Sequence, residues 1–210
     1  MNTYIYIHVC CINNWKDIFM NLYNHIINSG LYDIVCKIKC NVLSKTIEEP
    51  LTFFNHLNDN KIEILNISSN LDEYETGTIN RLHDNALSED FYVLYMHTKG
   101  CKHNNNNINI NDWVEYLLYF NVDHYKKCME QLINNDTVGV NLQYNPATHY
   151  SGNFWWSKSS YLKKLDKCIH SCYNSPEFWL TDRNIGNYVS LWNSNVNHYH
   201  ERYEKHNYEK

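Results

Sequence analysis

Four short runs rich in β-branched and aromatic residues occupy the first half of the chain, each separated from the next by enough residues for a helical crossover. They are Thr3–Val9 (TYIYIHV), Asp33–Val42 (DIVCKIKCNV), Lys61–Ile67 (KIEILNI) and Phe91–Met96 (FYVLYM). Between them, Trp15–Ile27 repeats apolar residues at helical spacing (Trp15, Ile18, Phe19, Leu22, Ile26, Ile27), and Ser29-Gly30 closes that helix. Leu51–Leu57 reads as a short helix and Glu75–Leu87 as a further one. Strands joined through helices pair most readily in parallel. The pattern therefore predicts the α/β class: one domain with a mostly parallel, Rossmann-like central sheet and helices on both faces. Phe91–Met96 has no polar alternation, which marks an interior strand covered on both sides.

The second half is less regular. Ile108–Leu132 reads as a long or broken helix, Thr137–Leu142 (TVGVNL) and Gly152–Trp156 (GNFWW) as strands, and Pro176–Leu191 as the last helix, with Pro in its first turn. From Asn193 onward no apolar period remains. The chain accordingly divides into a domain over 1–192 and a tail over 193–210 that packs on or near the cleft.

Composition excludes several functions. A net charge of −5 with no basic stripe argues against nucleic-acid binding, which needs cations to displace counterions from phosphates. No apolar run approaches about 18 residues, and MNTYIYIHVC has no basic segment followed by an apolar stretch. Neither a membrane span nor a signal peptide is expected, and the expected location is the cytoplasm. None of the eight cysteines forms a CxxC pair. Cys36/Cys40 and Cys168/Cys172, four apart, suit a helix face or a strand, so buried free thiols are expected rather than a zinc site. The N-x-S/T matches at Asn66 and Asn135 carry little weight for such a chain. The abundance of Asn speaks of an A+T-rich coding genome rather than of chemistry, and the Asn run at 104–107 reads as a loop tip.

In an open α/β sheet, ligands bind beyond the carboxyl ends of the strands. The fourth strand delivers His97, Thr98, Lys99 and Gly100 there: an imidazole, a hydroxyl, an ammonium and a flexible backbone, the makings of either a phosphate cradle or an ordinary polar turn. The glycine-rich dinucleotide fingerprint, the P-loop and the G-x-S-x-G elbow are all missing from the sequence. A second candidate region is His149, Gly152, Asn153 and Trp155. Adjacent indoles on a strand face opposite ways, so one packs inward while the other meets a ligand or a covering helix. Glu177 opens a helix, where a carboxylate commonly complements the dipole. If it overlooks the same cleft as Lys99, it is a candidate base for a sugar hydroxyl. His198-Tyr199-His200 stands in the tail as a further polar cluster.

Taken in order, VLYMHTKG, the Trp-bearing WVEYLLYF, DTVGVN, HYSGNFWWSKSSYLKKL, PEFWL and NHY resemble the glycosyltransferases of large DNA viruses, with YIYIH and SGLYD near the start fitting too. The chain is similar to the GT-A-fold domain of a chlorovirus enzyme implicated in capsid glycosylation. More distantly it looks like bacterial rhamnan-synthesis proteins, which carry an HTK motif, a Trp-bearing helix and a later G-x-x-FWA segment. The resemblance spans nearly the whole chain. It implies a GT-A-like fold and transfer of a sugar from a nucleotide-diphosphate sugar to a hydroxyl of a glycan or glycoprotein, in viral capsid or fibril glycosylation within the host cytoplasm.

The same resemblance assigns roles. His97, Thr98, Lys99 and Gly100, with Glu75 and Thr78, would hold the donor. His149, Gly152, Asn153 and Trp155 would meet acceptor or sugar, and Glu177 would be the catalytic base. GT-A strands normally end in Asp-x-Asp around a divalent cation, and here His97-Thr98-Lys99 stands in that place. Two alternatives follow: Lys99, with His97 and loop amides, replaces the metal, or Mn²⁺ or Mg²⁺ is held by Asp72, Glu75 or His198. A catalytically inactive nucleotide-sugar-binding module is the alternative function.

Overall fold

The computed structural model describes residues 1–104, 106–169 and 173–209. Cys172, Asn105 of the Asn run and Lys210 of the tail lie outside the described residues. The strands are β1 (Asn2–Cys10), β2 (Lys37–Leu43), β3 (Ile62–Ser68), β4 (Phe91–His97), β5 (Thr137–Gly139), β6 (Leu142–Gln143), β7 (His149–Tyr150), β8 (Trp155–Lys158) and β9 (Tyr188–Ser190). The helices are α1 (Trp15–Asn28), α2 (Leu31–Ile34), α3 (Glu48–Leu57), α4 (Thr76–Ser88), α5 (Ile108–Leu118), α6 (Tyr125–Leu132), α7 (Ser159–Leu162) and α8 (Ser175–Trp179).

Seven strands form one sheet in the order β3-β2-β1-β4-β8-β5-β9, and β6 pairs with β7 in a separate ribbon. β1, β2, β3 and β4 are mutually parallel, β8 runs antiparallel to both β4 and β5, and β9 is parallel to β5. The fold is thus the α/β, mostly parallel, doubly covered sheet that the strand-helix alternation predicts. Side-chain alternation divides the interior in two. Ile5, Ile7 and Val9 of β1 and Leu94 and Met96 of β4 face a core completed by α1, α5 and α6. Tyr4 and Tyr6, with Phe91, Val93 and Tyr95, face a second core under α4, α7 and α8. Trp156 belongs to the first and Trp155 to the second, as adjacent strand residues must.

Several boundaries differ from expectation. Gly30, at φ 78°, ends α1 and starts the short α2, so β2 begins at Lys37 rather than Asp33. The long helix over 108–132 is broken by a π-helical turn at Tyr119–Asp123 between α5 and α6. The expected strand over Gly152–Trp156 begins only at Trp155, because Gly152 (φ 98°) and Asn153 (φ 54°) form a left-handed turn. The expected helix over Pro176–Leu191 stops at Trp179. Asn184 at φ 47° cannot continue it, and Tyr188–Ser190 instead extends the sheet beside β5.

The last segment is tied down by aromatic packing. Tyr203 and Tyr208 are buried, and both rings pack against Tyr116 of α5. Arg202 grips Asp112 through two hydrogen bonds of 2.7 and 3.3 Å.

One polar staple joins α1 to the helical break. His25 Nδ1 donates to Asp123 Oδ1 at 2.8 Å, and its Nε2 lies 3.4 Å from Glu115 Oε2. Asp123, then Glu115, pushes the imidazole from 6.5 up to about 9 against the opposing effect of burial. A raised folded-state value means that the stabilisation is complete below pH 6.5 and is lost as the pH climbs through about 9. Since Glu115 is about half exposed, the staple contributes roughly 1–2 kcal/mol when charged. Melting temperatures of wild type and His25→Gln, compared from about pH 6 to about pH 10, should therefore converge as the imidazole loses its proton. A gap independent of pH would show that the staple is not ionic.

Candidate active site

A cavity of about 340 Å³ opens beyond the carboxyl ends of β1 and β4. These strands are neighbours at the point where the order 3-2-1-4 reverses, the place where open α/β sheets bind ligands. The parallel register sets His8 directly against His97, so both strands deliver an imidazole to the same wall. His97, Thr98, Lys99 and Gly100 line the cavity together with Glu75, Gly152, Asn153 and Glu177. Lys99 and Glu177 therefore share one hollow.

Gly152 is the hinge of this arrangement. Its N–H donates to Glu177 Oε1 at 3.1 Å, and its carbonyl accepts from His97 Nε2 at 3.1 Å. The carbonyl can only accept, so His97 carries its proton on Nε2. Burial, then Lys99, lowers this imidazole to about 3, outweighing the Gly152 carbonyl and Glu177. His97 is thus neutral and positions the turn, and the positive charge of the cavity falls to Lys99 and Lys102. His8 is also neutral, pushed down to about 4 chiefly by burial, with its Nδ1 2.9 Å from Thr78 Oγ1.

Lys99 Nζ sits 3.7 Å from the centre of the Trp113 ring. A cation on an indole face in a desolvated setting is held by about 2 kcal/mol. Burial lowers the Lys99 pKa, while Glu177 and Glu75 act to raise it. Glu75 is anchored in turn: its Oε2 accepts from Tyr95 Oη at 2.7 Å and from Asn153 Nδ2 at 2.6 Å, while Trp155 Nε1 donates to Asn153 Oδ1 at 2.8 Å.

Three of the sugar- and donor-facing candidates lie elsewhere. Trp155 is only 1 % exposed, stacked on Tyr95 at 4.9 Å, so its ring offers no face to a ligand. It acts through Asn153. His149 is buried against Phe178 with Nδ1 2.8 Å from the Ala147 carbonyl, and it is not part of the cavity wall. Thr78 is fully buried and serves His8. Thr98 lines the cavity, but its hydroxyl accepts the Cys10 N–H at 2.9 Å. Residues that the strand-end argument did not single out are His8, Tyr95, Cys10, Cys101 and Lys102. The only sequence signal for His8 is its position at the end of the first strand.

Among the described residues no three His, Cys, Asp or Glu side chains converge as a metal site. Asp72 and Glu75 line the cavity. His198 does not: it stacks on Trp113 at 5.0 Å, and its Nε2 meets Ser194 Oγ at 2.8 Å and Asn141 Nδ2 at 3.0 Å.

A family model described as a domain of unknown function (DUF8361) matches residues 21–170. No curated protein matches the sequence. Among solved structures, HddC from Yersinia pseudotuberculosis is similar with a TM-score of 0.54 at 13% identity, over 92% of this chain and 91% of that one. The 4-diphosphocytidyl-2C-methyl-D-erythritol synthase of Anaerococcus prevotii DSM 20548 is similar with a TM-score of 0.50 at 7% identity, over 91% and 86%. At such identities the likeness is one of Rossmann-like α/β fold.

The Gly152 turn should tolerate no side chain. A Cβ there would lie 2.8 Å from Leu117 Cδ1 and 3.2 Å from Trp113 Cε2, at a φ of 98°. Gly152→Ala should lose about 1–3 kcal/mol in urea unfolding and should displace both Glu177 and His97. Wild-type stability in that variant would show that the turn adapts freely.

Proposed function

The chain belongs to the DUF8361 family, and we propose that it is a nucleotide-sugar-dependent glycosyltransferase of GT-A type working at the β1–β4 cavity. The observation that carries this reading is the meeting of one ammonium, Lys99, and one carboxylate, Glu177, in a single hollow at the switch point of the sheet. A leaving diphosphate gains negative charge as the glycosidic bond breaks, and a preorganised cation stabilises it. At about 4 Å and an effective dielectric near 20, one unit charge is worth roughly 4 kcal/mol. Likeness in fold to an enzyme named for a diphosphocytidyl product supports the nucleotide-diphosphate part of the reading.

In this scheme the donor diphosphate lies against Lys99 and the Gly100 turn, with Lys102 at the rim. Glu177 has one oxygen fixed by the Gly152 N–H, which leaves the other to take the proton of an acceptor hydroxyl. The acceptor oxygen bonds to the anomeric carbon, the carbon–phosphate-oxygen bond breaks, and the electron pair leaves with the nucleoside diphosphate. One in-line displacement of this kind inverts configuration. The acceptor is the hydroxyl of a glycan or glycoprotein, and viral capsid or fibril glycosylation is the setting that the family resemblance favours. The sequence His97-Thr98-Lys99 at the end of β4, where GT-A enzymes carry Asp-x-Asp, favours, as a second reading, a module that binds nucleotide sugars without turnover.

A thermal-shift screen against UDP-, GDP- and dTDP-sugars with and without Mn²⁺ tests binding, since a ligand at 100 times its Kd adds about 2.7 kcal/mol. One donor class should stabilise the protein, and Lys99→Ala should abolish that shift. Where transfer is observed, Glu177→Gln should lower kcat by about 10²–10⁴ with donor binding retained. Binding without nucleoside diphosphate release under any acceptor would select the inactive module. Pyrophosphate release from a nucleoside triphosphate would replace sugar transfer by nucleotidyl transfer.

A further inference from the structure

The cavity holds a pair of nucleophilic groups that sugar transfer does not use. Cys10 ends β1, Cys101 opens the turn after β4, and both line the cavity. Each thiol is the strongest influence on the other's ionisation. Thr98 brings the two backbones together: its Oγ1 accepts the Cys10 N–H at 2.9 Å, and its carbonyl accepts the Cys101 N–H at 3.4 Å. Asn13 Nδ2 fixes the turn from the β1 side by donating to the Cys101 carbonyl at 2.8 Å.

The two thiols are unequally placed: Cys10 is partly exposed in the cavity wall, whereas Cys101 is buried. This is the division of labour of a dithiol that oxidises in two steps: an accessible thiolate attacks and a neighbouring thiol resolves. The other described cysteines differ. Cys40 and Cys128 are fully buried with raised pKa values, Cys11 and Cys168 are pushed up to about 12 and about 11 chiefly by burial, and exposed Cys36 makes its side-chain hydrogen bond to Asn2.

We propose that Cys10 and Cys101 are a modification site of the cavity wall, a dithiol that hydroperoxides convert into an intramolecular disulfide. The Cys10 thiolate attacks the peroxide, the O–O bond breaks, and Cys10 becomes a sulfenic acid while water or an alcohol leaves with a proton. The Cys101 sulfur then attacks the Cys10 sulfur, the S–O bond breaks, and the hydroxide leaves as water with the Cys101 proton. One hydroperoxide is reduced and two thiols are oxidised. The new bond ties β1 to the turn that carries Lys99, so it reports on the site whichever ligand the site takes.

The test is peptide mapping of the intact protein after hydrogen peroxide, with remaining thiols alkylated and no reductant until the final step. The expected result is a protein lighter by two hydrogens, one Cys10–Cys101 cross-linked peptide pair, and full reversal by dithiothreitol. Cys101→Ser should strand the first step, so that a dimedone-type probe labels Cys10, and Cys10→Ser should give neither label nor cross-link. The proposal is overturned if both cysteines of the wild type stay alkylatable while Cys36 oxidises. It is equally overturned if Cys10 passes to sulfinic acid, or pairs with Cys11, without joining Cys101.

Discussion

The site depends on one peptide unit. Gly152 offers its N–H to Glu177 and its carbonyl to His97, so the acidic residue of one helix and the imidazole of one strand are fixed by the two ends of a single residue. That residue is in place because β8 runs antiparallel to β4, with Trp155 paired to Tyr95. An antiparallel neighbour starts where a parallel strand ends, so the turn ahead of β8 must lie over the carboxyl end of β4. With a parallel strand in that position, the same turn would sit at the opposite edge of the sheet and the cavity would lack its lid of polar backbone.

Charges of both signs surround that peptide. Three carboxylates, Asp72, Glu75 and Glu177, and two ammonium groups, Lys99 and Lys102, line one hollow. Glu75 is satisfied by Tyr95 and Asn153, Glu177 by Gly152, and Lys99 by the face of Trp113. Burial keeps both imidazoles neutral. His8 and His97 serve here as neutral donors and acceptors, which leaves Lys99 and Lys102 as the positive charges of the hollow.

The first half of the fold was legible because each signal there is local. Trp15, Ile18, Phe19, Leu22 and Ile26 repeat at helical spacing and are all buried in α1, and FYVLYM is the interior strand that its unbroken apolar run describes. The candidate site was legible as far as strand ends reach: HTKG and Glu177 do line the cavity. The second half was not legible for a physical reason. In GNFWW, two left-handed residues interrupt a run that reads as a strand, and beyond Trp179 the apolar residues serve either a helix or a sheet edge. Only long-range pairing with β5 decides the latter. Trp155 could not be distinguished from Trp156 as ligand-facing or core by alternation alone, since here both faces of the sheet are covered and both indoles are buried.

The thiol pair illustrates the same limit from the other side. Cys10 and Cys101 are remote in sequence and meet only because the register of β1 against β4 puts His8 opposite His97 and lets Thr98 N–H reach the His8 carbonyl at 3.0 Å. Thr98 consequently bears on two chemistries. Its backbone continues β4 into the Lys99 turn, and its hydroxyl and carbonyl hold the backbones of both cysteines. A change in covalent state at the thiols therefore acts on the same few atoms that aim the ammonium.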